Sequence, residues 1–216
     1  MTKGKLKSTH EANELVKLGE IASINTGYPF RTKIERDPEG TVGVIQMKDI
    51  DGYNRLDLSD VYKVKLEEDL SEKHLLQQHD VLFRSRGVTN TTALVTEKIQ
   101  PYVAASPLII IRVKSSHVKP AYLVWYLNHP LGQKQINRVA GGTSQLMVSK
   151  SALAEIVIDL PPLATQKIIA EIAALSQREQ QLMEELAQKR KLYMDAVLMQ
   201  KAVGKRNQNK RDNNYG

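Results

Sequence analysis

The stretch PPLATQKIIAEIAALSQREQQLMEELAQKRKLYMDAVLM occupies residues 161–199, and no further Pro or Gly follows until Gly204. Within it Ile168, Ile172, Leu175, Glu179, Leu182, Leu186, Lys189, Tyr193 and Ala196 recur at alternating steps of four and three. That spacing is a heptad seam and predicts one long amphipathic helix, roughly 55 Å at 1.5 Å per residue. Two prolines suit its start, because first-turn amides have no intrahelical acceptor to lose. The interior is mostly Ala, Leu, Gln, Glu, Lys and Met, all good helix formers. Glu179 and Lys189 on the seam disfavour a dry core and help set a register, as in a partly wet or antiparallel pair. The simpler reading is a long helix lying on its own domain. The sharper one is a coiled-coil arm that seeks another helix, with Ile168, Ile172, Leu175, Leu182, Leu186 and Tyr193 as its dimerisation residues.

The chain has 216 residues, enough for one sizeable domain plus this helix. Hydrophobic residues make up 41 %, sufficient for a core. Lys and Arg number 31 against 24 Asp and Glu, a formal charge of +7 that favours a polyanionic partner without establishing one. There is no Cys, which excludes disulfides, thiolate metal sites and Cys nucleophiles. No apolar run approaches the ~20 residues of a membrane span, and the polar start lacks a signal-peptide core. The expectation is a soluble, cytoplasmic protein with no membrane partner.

Upstream of the helix the pattern changes to short apolar runs between turns. Residues 1–14 are polar and expected to be disordered. Strands are predicted over 42–47, 61–66, 80–83, 93–95, 107–113 and 155–160, the run at 107–113 being apolar enough for a buried central strand. Pro120 opens a helix whose Tyr122, Trp125 and Tyr126 share one face, read as core packing. A second helix follows Pro130, and Ser149 caps a short one over 150–154. The fold class is α+β. A mixed α/β domain over 15–160 is followed by a helix over 161–200, then by a basic disordered tail over 201–216.

Catalytic and metal patterns are missing. There is no Walker A run, no GxGxxG and no HExxH. The five histidines do not fall at ligand spacing. Asp80 with Glu97 and Lys98 could mimic a nuclease set, but Asp80 fits better as the turn residue that opens a strand. No catalytic or metal-binding residue is assigned. What remains are three polar loops. The first carries Tyr28, Arg31 and Lys33; Gly27 there is read as permitting a backbone bend. The second carries Arg84, Arg86, Asn90, Thr91 and Thr92, and the third Thr143, Ser144 and Gln145. Arg suits guanine edges, Asn and Gln suit adenine, and hydroxyls suit phosphates. Each loop reads equally as an ordinary surface turn or as carrying DNA contacts; on the second reading these eleven residues are the candidates, with Arg84 and Arg86 foremost.

Several segments together resemble the specificity subunit of type I restriction–modification systems. They are Lys17-Leu18-Gly19-Glu20-Ile21-Ala22 with Thr26-Gly27-Tyr28-Pro29, Asp80-Val81-Leu82-Phe83 with Arg86-Gly87, and Gly142-Thr143-Ser144-Gln145. The run from Ile156 through Pro161-Pro162 into the long helix completes the set. The resemblance covers residues 15–199. It implies a target recognition domain followed by a spacer helix, with double-stranded DNA as ligand. It also implies that methylation and cleavage reside in separate methyltransferase (modification) and endonuclease subunits. On this reading the chain binds no cofactor itself, and S-adenosylmethionine belongs to the methyltransferase. Familiar members carry two recognition domains and two helices; this chain shows one of each, as in a half-length form, and a homodimer is expected. Where the family has Glu-Gln after the prolines, this chain has Thr165-Gln166. The alternative is a non-catalytic coiled-coil adaptor that binds protein partners.

Overall fold

The computed structural model describes residues 13–66, 71–87, 89–98, 101–141 and 146–212, with the side chains of the last helix described as far as Val203. The chain forms two compact units, Met1–Ile172 and Ala173–Gly216. The first begins with strand β1 (Glu14–Lys17), the short helix α1 (Leu18–Ile21), and strands β2 (Ala22–Thr26) and β3 (Val42–Ile45). A 3-10 turn (Met47–Asp49) leads to β4 (Tyr62–Val64). Then come β5 (Val81–Arg84), β6 (Arg86–Gly87), β7 (Thr92–Leu94), β8 (Tyr102–Ala104) and β9 (Leu108–Val113). Helices α2 (Pro120–Asn128) and α3 (Pro130–Val139) precede β10 (Leu146–Met147), α4 (Lys150–Ala154) and β11 (Val157–Leu160). Helix α5 (Leu163–Asp212) closes the chain.

Four strands form an antiparallel sheet in the order β2-β9-β5-β7. The near-continuous apolar run of β9 sits between β2 and β5, and both of its faces are buried. Ile109 and Ile111 pack with Val81, Phe83 and the α2 residues Tyr122, Leu123, Tyr126 and Leu127. Leu108 and Ile110 pack on the other side with Leu82, Ile45, Ile50 and Leu76. Burial on both faces is why this strand does not alternate apolar with polar. A smaller sheet, β4-β3-β8, encloses a third cluster of Val42, Val44, Val64, Val103 and Ala105. The α2 aromatics are core residues, as their spacing predicts. The Tyr122 hydroxyl donates to Asp159 O and the Tyr126 hydroxyl to Val157 O, so each buried phenol is satisfied. Burial raises the Tyr122 and Tyr126 hydroxyl pKa values above the ordinary tyrosine range.

Helix α4 is capped as expected, with Ala152 N donating to Ser149 Oγ at 3.1 Å. The first turns of α5 are tied down by Gln166, which is buried. Its Oε1 accepts from Lys119 N at 2.9 Å, and its Nε2 donates to His117 O and Pro161 O. A side-chain amide alone has the donors and the acceptor that this seat needs. The helix continues past residue 200, the boundary suggested by sequence, because Lys, Arg and Gln sustain helical backbone. Residues 1–12, covering most of the expected disordered start, lie outside the described residues.

Gly27 has a reason the sequence did not reveal. Its φ is not positive, but a Cβ there would sit 2.5 Å from Ala104 O and 2.8 Å from the Ala105 carbonyl carbon. Close backbone approach, not a bend, calls for glycine. Asp80 is the turn residue expected, and more. It is buried; Oδ1 accepts from Arg112 Nε, and Oδ2 accepts from Arg112 Nη2 and Gln77 N, each at 2.8 Å. Its lone pairs are engaged in structure, while Glu97 and Lys98 stand exposed. Removing one partner of a buried ion pair strands the other, so Asp80→Ala is expected to lower stability by about 3–5 kcal/mol. Urea unfolding checks this; a loss below about 1 kcal/mol, the size of an exposed pair, would contradict it.

Candidate nucleic-acid interface

One end of the two larger sheets gathers most of the polar loops. At the end of β2, Thr26 pairs with Ile109; at the end of β5, Arg84 pairs with Leu108. At the end of β3, Ile45 lies beside Ala104 of the parallel strand β8. The segments that continue from these ends form a rim: residues 26–33, 46–56, 85–87 and 89–91. The two-residue pairing of β6 with β10 adjoins it, Arg86 opposite Met147 and Gly87 opposite Leu146.

Of the first loop, Tyr28 is clamped by backbone bonds from Tyr28 N to Ala104 O (2.7 Å) and from Ser106 N to Tyr28 O (3.0 Å). Its half-buried ring meets Phe30 edge-on at 4.8 Å and His74 at 5.6 Å. It therefore walls the third core cluster more than it offers a free stacking face. Burial holds the neighbouring His74 below the usual histidine pKa. Arg31 and Lys33 are exposed, Lys33 within 3.3 Å of Glu35.

The second loop divides sharply. Arg84 is half-buried, and its Nη2 donates to Met47 O at 2.9 Å and to Ile50 O. Burial pushes its pKa down from the usual arginine range, partly offset by Asp51. Arg84 thus bolts the 46–56 segment to β5 and is spent as scaffold. Asn90 is buried, with Nδ2 donating to Arg84 O and its backbone O accepting from Gln133 Nε2, both at 2.9 Å. Thr92 is wholly buried; its amide and hydroxyl meet Asn128 Oδ1 of α2. Thr91 is half-buried. Thus three side chains read as DNA contacts are engaged inside the domain: Arg84 against the 46–56 segment, Asn90 against α3 and Thr92 against α2. Arg86 is exposed on the rim, as a contact residue must be. Thr143, Ser144 and Gln145 lie outside the described residues.

The rim also carries groups that the loop reading passed over. Lys48 Nζ stands 3.9 Å from the Tyr62 ring centroid, and the Arg36 guanidinium lies 4.9 Å from it. Both cations also lie beside the exposed Asp60 carboxylate. Asp49 is buried beneath them, and burial raises its carboxyl pKa although Gln46 N donates to it at 2.7 Å. Beyond it, Tyr53 and Arg55 occupy the turn. The signal for these residues was local: Asp51-Gly52-Tyr53-Asn54-Arg55 is an Asx-turn sequence with a basic residue at its exit. Among the described residues no group of three or more His, Asp or Glu could hold a metal ion. No described helix is long and apolar enough to cross a membrane.

On helix α5, Ile168, Ile172, Leu175, Leu182, Leu186 and Tyr193 are between 47 and 70 % exposed. A second apolar row adjoins the first toward the C-terminus. There Met183, Leu186, Ala187 and Met194, with Arg190 and Lys191, line a shallow groove, and Leu198 lies exposed beyond it. Contiguous exposed apolar surface of this kind is what interaction sites present.

Residues 10–189 match the family model described as Type I restriction modification DNA specificity domain. No curated protein sequence matches the chain. Among solved structures, the HsdS subunit from Thermoanaerobacter tengcongensis superposes with a TM-score of 0.57 at 17 % identity, over 85 % of this chain and 42 % of that one. A chain from a structure on complex assembly and conformational transition of the type I R-M system gives 0.59 at 17 %, over 84 % and 42 %. The S subunit of a type I restriction–modification system from M. genitalium gives 0.55 at 15 %, over 85 % and 44 %. At these identities the likeness is one of fold. The chain spans less than half the length of each of these proteins.

Proposed function

The chain belongs to the type I restriction modification DNA specificity family, and from that premise we propose that its first unit reads one half-site of a double-stranded DNA target. The observation that carries the reading is the rim. Three strand ends deliver Arg31, Lys33, Lys48, Arg55 and Arg86 to one end of a rigid double sheet, while inward-turned side chains such as Arg84 and Asn90 fix the loops that present them. Rigid loops with outward cations suit phosphates for positioning and base edges for choice.

The long helix supplies the second part of the proposal. Its exposed Ile, Leu and Tyr stripe pairs with the same stripe of a second copy, giving a homodimer with two recognition domains. The adjoining Met183–Met194 row stays available for a helix of a methyltransferase subunit, which brings S-adenosylmethionine and extrudes the target adenine. An endonuclease subunit joins the same assembly. The chain supplies recognition and no catalytic group of its own, and it works in the cytoplasm, where the chromosome is.

The test is selection of duplexes from a random pool by the purified full-length chain. Enrichment of one defined half-site is expected, with affinity that falls as salt rises because phosphate contacts release counterions. No affinity for DNA at low salt, or affinity without any enriched sequence, would overturn the reading.

A further inference from the structure

The turn that follows Ile50 holds a prearranged arginine. Ile50 and Leu56 pair as an isolated antiparallel bridge, and Asp51 N donates to Arg55 O at 2.8 Å. At the tip Asn54 adopts φ +58°, a left-handed conformation that asparagine tolerates. The Asp51 carboxylate organises everything inside. Oδ1 accepts from Tyr53 N and Arg55 N, each at 2.8 Å. Oδ2 accepts from Arg55 Nε at 3.0 Å and Nη2 at 2.8 Å. The guanidinium carbon lies 5.4 Å from the Tyr53 ring centroid. Arg84 fastens the base of the turn through Met47 O and Ile50 O.

An exposed arginine ordinarily samples many rotamers and loses that freedom on binding. Here a carboxylate and a ring have fixed the fork beforehand on a bolted turn, although the Arg55 side chain is 43 % exposed. Such preorganisation lowers the entropy lost in a directional contact. The neighbouring Asp51 also decides between the two DNA groups that accept from guanidinium. A phosphate would approach against the Asp51 charge, whereas a base edge carries no net charge. Arg donors match guanine O6 and N7 in the major groove.

We propose that Arg55, held by Asp51 and stacked beside Tyr53, reads a guanine in the half-site, with Asp51 as its positioning residue. This rests on the DNA-reading function proposed above. It adds a specificity-determining side chain outside the loops that the sequence marked.

The experiment measures binding of the full-length chain to its selected duplex and to every single-base variant of one half-site, across a salt series. Arg55→Ala is expected to lose discrimination at one G·C pair by roughly five- to a hundredfold, leaving the other positions and the salt dependence unchanged. Arg55→Lys keeps the charge and loses the fork, so it should lose the same discrimination. Asp51→Asn keeps an acceptor for the Tyr53 and Arg55 amides but removes the charge. It should weaken that same preference while tightening binding to unrelated DNA, a pairing that a merely structural defect would not produce. Uniform weakening on all sequences by Arg55→Ala, with a shallower salt slope, would make Arg55 a phosphate contact and overturn the assignment. Unchanged preferences in Arg55→Ala, beside an unaltered chain that still selects its sequence, would overturn it too. An unaltered chain that selects nothing would instead sink the recognition function, and this role with it.

Discussion

Replacing Leu182 and Leu186 together with glutamine is expected to convert the proposed dimer into monomers at every practical concentration. Both side chains lie on the stripe of α5 and are largely exposed in the single chain, at 47 and 68 %. Folding of the chain alone therefore gains little from them, and their apolar area is buried only by pairing. A symmetric pair buries four such leucines. At about 1.5–3 kcal/mol for burying a fully exposed leucine, and with only the exposed share of each left to bury, the double change removes roughly 3–7 kcal/mol from association. Each 1.4 kcal/mol is a tenfold change in dissociation constant, so the pair weakens by roughly two to five powers of ten. Glutamine keeps helix propensity, so the helix itself survives. Light scattering at tens of micromolar reads the outcome, and circular dichroism confirms unchanged helix content in the monomer. A mass that stays at that of the dimer would place the contact elsewhere.

The second large effect is geometric. Deleting seven residues between Ser176 and Lys189 removes roughly 10 Å of helix at 1.5 Å per residue, about three base pairs at 3.4 Å each. Seven residues restore the heptad phase, so pairing persists. On the proposed function the half-site bases are read by the first unit, which the deletion does not touch. Cells carrying this variant with a modification subunit should therefore methylate the same half-sites with the gap shortened by about three base pairs. Deleting three or four residues breaks the seam phase and should abolish assembly instead. A shortened helix that changes the half-sites and keeps the gap would refute its role as a spacer.

Local signals carried much of the fold. The β9 run, the Ser149 cap and the α2 aromatics each depend on neighbours within a few residues, and each is found where the pattern placed it. The seam of α5 was legible for the same reason, and its six apolar residues are exposed on the folded chain. The loop residues divided differently because their fate is decided at a distance. Asn90 and Thr92 are claimed by Gln133 and Asn128, 43 and 36 residues further on, and Asp80 is claimed by Arg112, 32 residues on. No window of sequence displays such pairings. Arg84 offered a partial clue. Strand side chains alternate, so Arg84 shares a side with Leu82, and in a sheet covered on both faces that side is the interior. Arg86, past the end of β5, escapes this and remains exposed. The Asx-turn sequence Asp51-Gly52-Tyr53-Asn54-Arg55 marks a turn, but the grip of Asp51 on the Arg55 guanidinium exists only once that turn is formed.

The most direct test of the account is the set of sites methylated in cells that express the unaltered chain with a modification subunit. Two copies related by a two-fold axis present the same rim twice to one duplex, so both strands are read alike. A homodimer of this kind should methylate an inverted repeat: one half-site, an unread gap, and the same half-site on the opposite strand. An asymmetric target with two unrelated halves, or an uninterrupted one, would contradict it.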